Sequence, residues 1–198
     1  MQSSLSREQA LDDLHAIRQT MARSVRYSNF AGLSGLAGGV IALLGLATET
    51  RNTNAGWPFL LHWAIVIAVA LGFDFVWTGR RTRNEDKAVV KRLARRMAVA
   101  AMPGLVAGLA LTLAFVVRGR STELFPYWML SYGVAMSAVG LMAPREVTWL
   151  ARAFMALGSL TLALQCSGFP KIGMPAFALS FGLFHCAYGV YVGLREGW

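Results

Sequence analysis

Six apolar stretches, each near the length of a bilayer span, dominate this chain of 198 residues. They cover about residues 29–48, 58–78, 97–117, 127–143, 147–166 and 174–194. A helix needs about 20 apolar residues to cross the hydrocarbon layer. In lipid every backbone N–H and C=O must be paired within the protein, so such spans are helical. The alternating segments of a membrane barrel are absent. The expected fold class is therefore an all-α integral membrane protein with six transmembrane helices. The fourth stretch is the shortest. Composition agrees, since only 15% of the residues are charged, against about 25% in soluble domains.

The placement of charge predicts orientation. Of the 19 Lys and Arg, 15 fall on the side that carries the N-terminus. Eight of them sit in the connection between the second and third stretches, "RRTRNEDKAVVKRLARR". The positive-inside rule then places both termini in the cytoplasm, and an even number of spans agrees. The net charge of +9 reads as topology and attraction to anionic lipid at the cytoplasmic face. Nucleic acid is not the expected partner, because no recognition module and no interleaved aromatics accompany the basic residues. Trp57, Trp63 and Trp128 fall near outer ends of spans, and Trp77, Trp149 and Trp198 near inner ends, as interfacial belts require.

Residues 1–28 form the one sizeable soluble segment. Ser6 with Gln9 fits a capping box. Leu11, Leu14, Ile17, Met21 and Val25 make an apolar stripe at helical spacing. This predicts a cytoplasmic amphipathic helix ahead of a membrane domain over 29–198. It would lie on the inner leaflet or engage a protein partner. Thr82 with Glu85 suggests a second capping box, leading by way of Val89, Val90, Leu93 and Met97 into the third span.

Two stretches read almost as copies: "LSYGVAMSAVGLMAPRE" over 130–146 and "LSFGLFHCAYGVYVGLRE" over 179–196. Residues 63–80 and 128–145 share the same distance from an outer Trp to an inner Arg. The chain can thus be cut into three parallel helical hairpins, although membrane helices share a small alphabet and also resemble one another by chance. Small residues supply packing faces. Gly35 and Gly39, Gly104 and Gly108, and Gly189 and Gly193 are each spaced for close helix approach, within one chain or in a homo-oligomer. Pro103 beside Gly104 predicts a kink.

Ionisable groups within spans are costly unless paired, which makes them the default functional candidates. Asp74 and Arg152 lie at similar depth near the inner face and could pair. His185 is the deepest, with Tyr188 on roughly the same face; it replaces Met136 of the first copy. It is read either as a histidine bonded to a neighbouring span or as a proton or ligand site. No second histidine shares its depth, which speaks against haem and metal. No cofactor is expected. Cys166 and Cys186 are too far apart along their helices for a disulfide. No hydrolase, zinc-protease, phosphate-loop or dinucleotide signature is present, and catalytic residues cannot be assembled.

At "ALDDLHAIRQTMARS", "LSYGVAMSAVGLMAPR" and "GLFHCAYG" the chain resembles a family of uncharacterised bacterial polytopic inner-membrane proteins. Their genes often sit beside one for a small winged-helix regulator. The resemblance implies a bacterial inner-membrane location and a regulatory partner, and it carries no active site. Three functions follow as expectations. The first is a non-enzymatic sensing or scaffolding module that engages a partner through its N-terminal helix. The second is a small channel or transporter with a polar path through Asp74, Arg152 and His185. The third is an accessory subunit of a larger membrane complex.

Overall fold

The computed structural model describes residues 32–49, 56–84 and 87–196, together with Asp12. Apart from Asp12, the segment expected to form the amphipathic helix lies outside the described residues. Those described are helical and contain no strand. The helices are α1 (Gly32–Glu49), α2 (Trp57–Arg81), α3 (Lys87–Val117), α4 (Leu124–Gly140) and α5 (Arg145–Cys166). A last rod, α6, joins Gly173–Phe177, a π-helical stretch Ala178–Phe184, and His185–Glu196.

Five of these rods are long and apolar enough to cross a membrane, which marks a multi-pass membrane protein. The exception is α4, with 17 residues. At 1.5 Å per residue it reaches about 25 Å, short of the roughly 30 Å hydrocarbon layer. One expectation shifts at the basic connection, where Thr82 caps the helix before it. Here α3 begins as far back as Lys87 and runs unbroken through Pro103. Thr82 closes α2, its hydroxyl donating to the Thr78 carbonyl at 2.8 Å.

Neighbouring rods run antiparallel, and glycines set how closely they meet. A Cβ on Gly32 would strike the Gly193 backbone, and one on Gly189 would strike the Leu36 backbone. Gly39 faces Cys186 and the Gly182 carbonyl. The first and last helices thus share a seam of backbone against backbone. Gly104 and Gly108 admit Ser131 and Ala135 of α4 in the same way. Without a hydrophobic force between helices in lipid, such close approach supplies the packing energy.

Aromatic rings fill the end of the bundle that carries Glu49. Phe59 and Trp63 of α2, Phe125 and Trp128 of α4, and Phe177 of α6 form one cluster, with Trp63 and Phe177 centroids 4.7 Å apart. Trp63 is 2% exposed, so it is core and not part of an interfacial belt. The Trp128 indole N–H donates to Thr112 at 2.8 Å. Trp57 and Trp149 are exposed, as belt residues would be.

Burial is uneven across the helices. Phe59 and Trp63 are the buried residues of α2, and every residue over 71–76 is exposed. Gly72 and Gly79 have nothing within 4 Å of a Cβ. So α2 is anchored at the Glu49 end and stands clear of the bundle over 71–76, with Thr82 buried again at its close.

Candidate functional site

Below the aromatic plug the column of rings continues. Phe177 stacks on Phe181 at 4.6 Å, and Phe181 stacks on the His185 imidazole at 5.9 Å. Tyr132 and Phe154 close the sides, with centroids 5.4 and 5.3 Å from the imidazole. Phe154 is completely buried. At the centre, the Tyr132 hydroxyl and His185 Nε2 lie 2.8 Å apart, which joins α4 to α6 by a hydrogen bond.

The π-helical turn just before His185 shapes this site. Its wider register shifts the carbonyls off the ordinary ladder, a distortion common where helices carry function. The second ring nitrogen, Nδ1, is buried without a hydrogen-bond partner. The Tyr132 hydroxyl donates to Nε2 in one imidazole tautomer and accepts from it in the other. Ser180 is buried, its hydroxyl donating to the Phe177 carbonyl at 3.2 Å. The arrangement can hold a proton or offer a polar contact in an apolar surround.

The four intramembrane candidates separate into two groups. Asp74 lies on the exposed flank of α2. It also accepts a bond from Thr78 at 3.4 Å. Tyr188 packs against the buried cluster that holds Ala135 and Val139 and covers Gly35, one turn beyond His185. Arg152 is exposed as Asp74 is, with its guanidinium 5.3 Å above the Trp149 ring. It forms no ion pair with Asp74. Gly35, Gly39, Gly104, Gly108, Gly189 and Gly193 serve packing within the chain. Cys166 and Cys186 are both free thiols. Among the described residues no three metal-ligating side chains gather.

Three polar features escaped the sequence reading. Tyr132 was hidden because a tyrosine among apolar residues looks like packing. Glu146 of one twin stretch pairs with Arg195 of the other at 2.8 Å, although the shared Arg-Glu ending was visible as a pattern. Glu49 is 6% exposed, yet it falls one residue past the expected end of the first span. No family model, curated protein or solved structure matches this chain.

Proposed function

We propose that the chain is a six-span bacterial inner-membrane protein with cytoplasmic termini, working as a small channel or transporter and not as an enzyme. The observation that carries this is the Tyr132–His185 hydrogen bond, set among buried rings inside a helix bundle. Groups able to exchange a proton are expensive in lipid and are kept where ions or solutes pass. The path runs through Tyr132 and His185, with Asp74 on the exposed flank of α2 beside its mouth and Arg152 outside it. Its mouth is the open side between α2 and the bundle at the basic end, where the positive-inside rule sets the cytoplasm. Proton or small polar solute is the cargo class that such a pair can handle.

The test is flux into proteoliposomes carrying an internal pH dye, under an imposed proton gradient. Wild type is expected to conduct. Tyr132→Phe and His185→Gln are each expected to reduce the rate at least tenfold. A wild-type rate equal to empty liposomes, with and without added small polar solutes, would sink the reading. A second reading, as a subunit of a membrane complex, is favoured by the exposed flank of α2 over 71–76. Stoichiometric partners after mild-detergent purification would support it.

A further inference from the structure

A second polar contact lies at the opposite end from the basic residues, and the path above does not use it. Glu49 ends α1, and one of its carboxylate oxygens, Oε2, is buried with no hydrogen-bond partner. That oxygen lies 3.6 Å from His62 Nε2 on α2. The same Nε2 bonds the Gly45 carbonyl at 2.9 Å. A carbonyl only accepts, so Nε2 carries a proton and Nδ1 is the position that gains or loses one. The imidazole thus keeps its backbone bond in both states while its charge changes beside a buried carboxylate.

The place of this contact gives it leverage. Gly45 lacks a side chain where Val66 approaches, and a Cβ there would come within 2.8 Å of it. Trp63 and Phe59 seat α2 in the aromatic plug. Beyond that point α2 leaves the bundle, exposed over 71–76. So α2 is a rod held near one end, and Glu49–His62 is the polar part of the grip.

We propose that Glu49 and His62 form a protonation-controlled latch that sets the lean of α2. With His62 doubly protonated and Glu49 ionised, the two attract across a buried gap and hold α2 to α1. Loss of the imidazole charge leaves a buried carboxylate without its counter-charge, and that state is relieved by separation. Protonation of Glu49 removes the attraction from the other side. The latch is therefore closed in a middle window and released above and below it. Glu49 is 6% exposed, and the His62 imidazole lies 3.6 Å from its carboxylate. On the packed elements nearby, Arg120 and Glu123 pair with each other at 2.7 Å. Arg118 and Lys171 are exposed, and the Tyr127 ring lies tilted against Phe115 at 4.9 Å. The latch operates whether or not a solute crosses the bundle, so its failure and the failure of the transport reading are separable.

The test is a distance between spin labels on cysteines placed at Gly38 of α1 and Gly79 of α2. Both positions have open space around them. The full chain, with Cys166→Ser and Cys186→Ser, is reconstituted in lipid nanodiscs. Pulsed electron resonance then reads the distance from about pH 4 to about pH 8.5. A single narrow distribution is expected in the middle window, with a shift to a broader one on either side. Glu49→Gln and His62→Gln are each expected to show the broad distribution at every pH, while His185→Gln keeps the wild-type response. His62→Gln retains an N–H for the Gly45 carbonyl, so it carries the test should Glu49→Gln not fold. A wild-type distance that ignores pH, or a response that survives His62→Gln, overturns the latch.

Discussion

The twin stretches over 130–146 and 179–196 share a sequence design but have different neighbours. The first lies mostly in α4, remains α-helical to Gly140, and packs on α3 and α5. The second lies in α6, opens within a π-helical turn, and packs on α1. Aligned by their Leu-Ser-aromatic-Gly openings, the twins differ where Tyr132 faces Phe181 and where Met136 faces His185. Those differences meet in space, because Tyr132 of one twin bonds His185 of the other. A repeated scaffold supplies two similar helices, and its departures from symmetry supply the polar pair. At the basic end Glu146 of the first twin holds Arg195 of the second, so the copies are tied at two depths.

The most damaging way to probe this difference is through equivalent glycines. A Cβ on Gly189 meets the backbone of Leu36 and Gly32, which cannot yield without moving a helix. A Cβ on Gly140 meets the Thr148 side chain at 2.6 Å, and that side chain can turn. Gly189→Ala is expected to cost about 3 kcal/mol or more, and Gly140→Ala about 1 kcal/mol. Unfolding in mixed micelles measures both, and equal losses would erase the distinction between the seams.

Next comes the polar pair. Tyr132→Phe and His185→Met each copy the residue of the opposite twin and leave one buried group without its partner. Each is expected to cost about 1–3 kcal/mol. The double variant should cost less than the sum by about 1 kcal/mol. Strict additivity would show that the hydrogen bond contributes nothing. The Glu146–Arg195 pair is half in solvent, with Arg195 48% exposed. Neutralising either residue should cost less than about 1 kcal/mol, with a smaller loss in high salt. The smallest effect concerns Asp74 and Arg152. Because they do not pair, Asp74→Asn and Arg152→Gln should add within about 0.5 kcal/mol. Coupling beyond that would place them closer together than the structure does.

Much of the scaffold was legible because span length and the spacing of small residues are properties of single helices. The Gly35–Gly39 and Gly189–Gly193 pairs announced two packing faces, though not that they meet each other. His185 stood out as a polar break in a repeat. Its partner did not, since which helix lies beside α6 is decided by tertiary packing. Glu49 was missed for a related reason. Its burial arises from His62 and the start of α2, while on the sequence it sits among polar residues. Trp63 looked like an interfacial anchor because a belt Trp and a core Trp have the same neighbours in sequence; only the ring cluster distinguishes them.

The seam between α1 and α6 joins segments some 150 residues apart, as in the contact of Cys186 with the Leu36 carbonyl. A ribosome adds about 5–20 residues per second. During synthesis α1 therefore waits on the order of ten seconds or more in the bilayer with its glycine face uncovered. That face is a ready docking strip for any other small-residue helix in the same membrane. Correct assembly of this protein is thus a contest in time as well as in affinity, and overproduction would be expected to favour wrong pairings before α6 arrives.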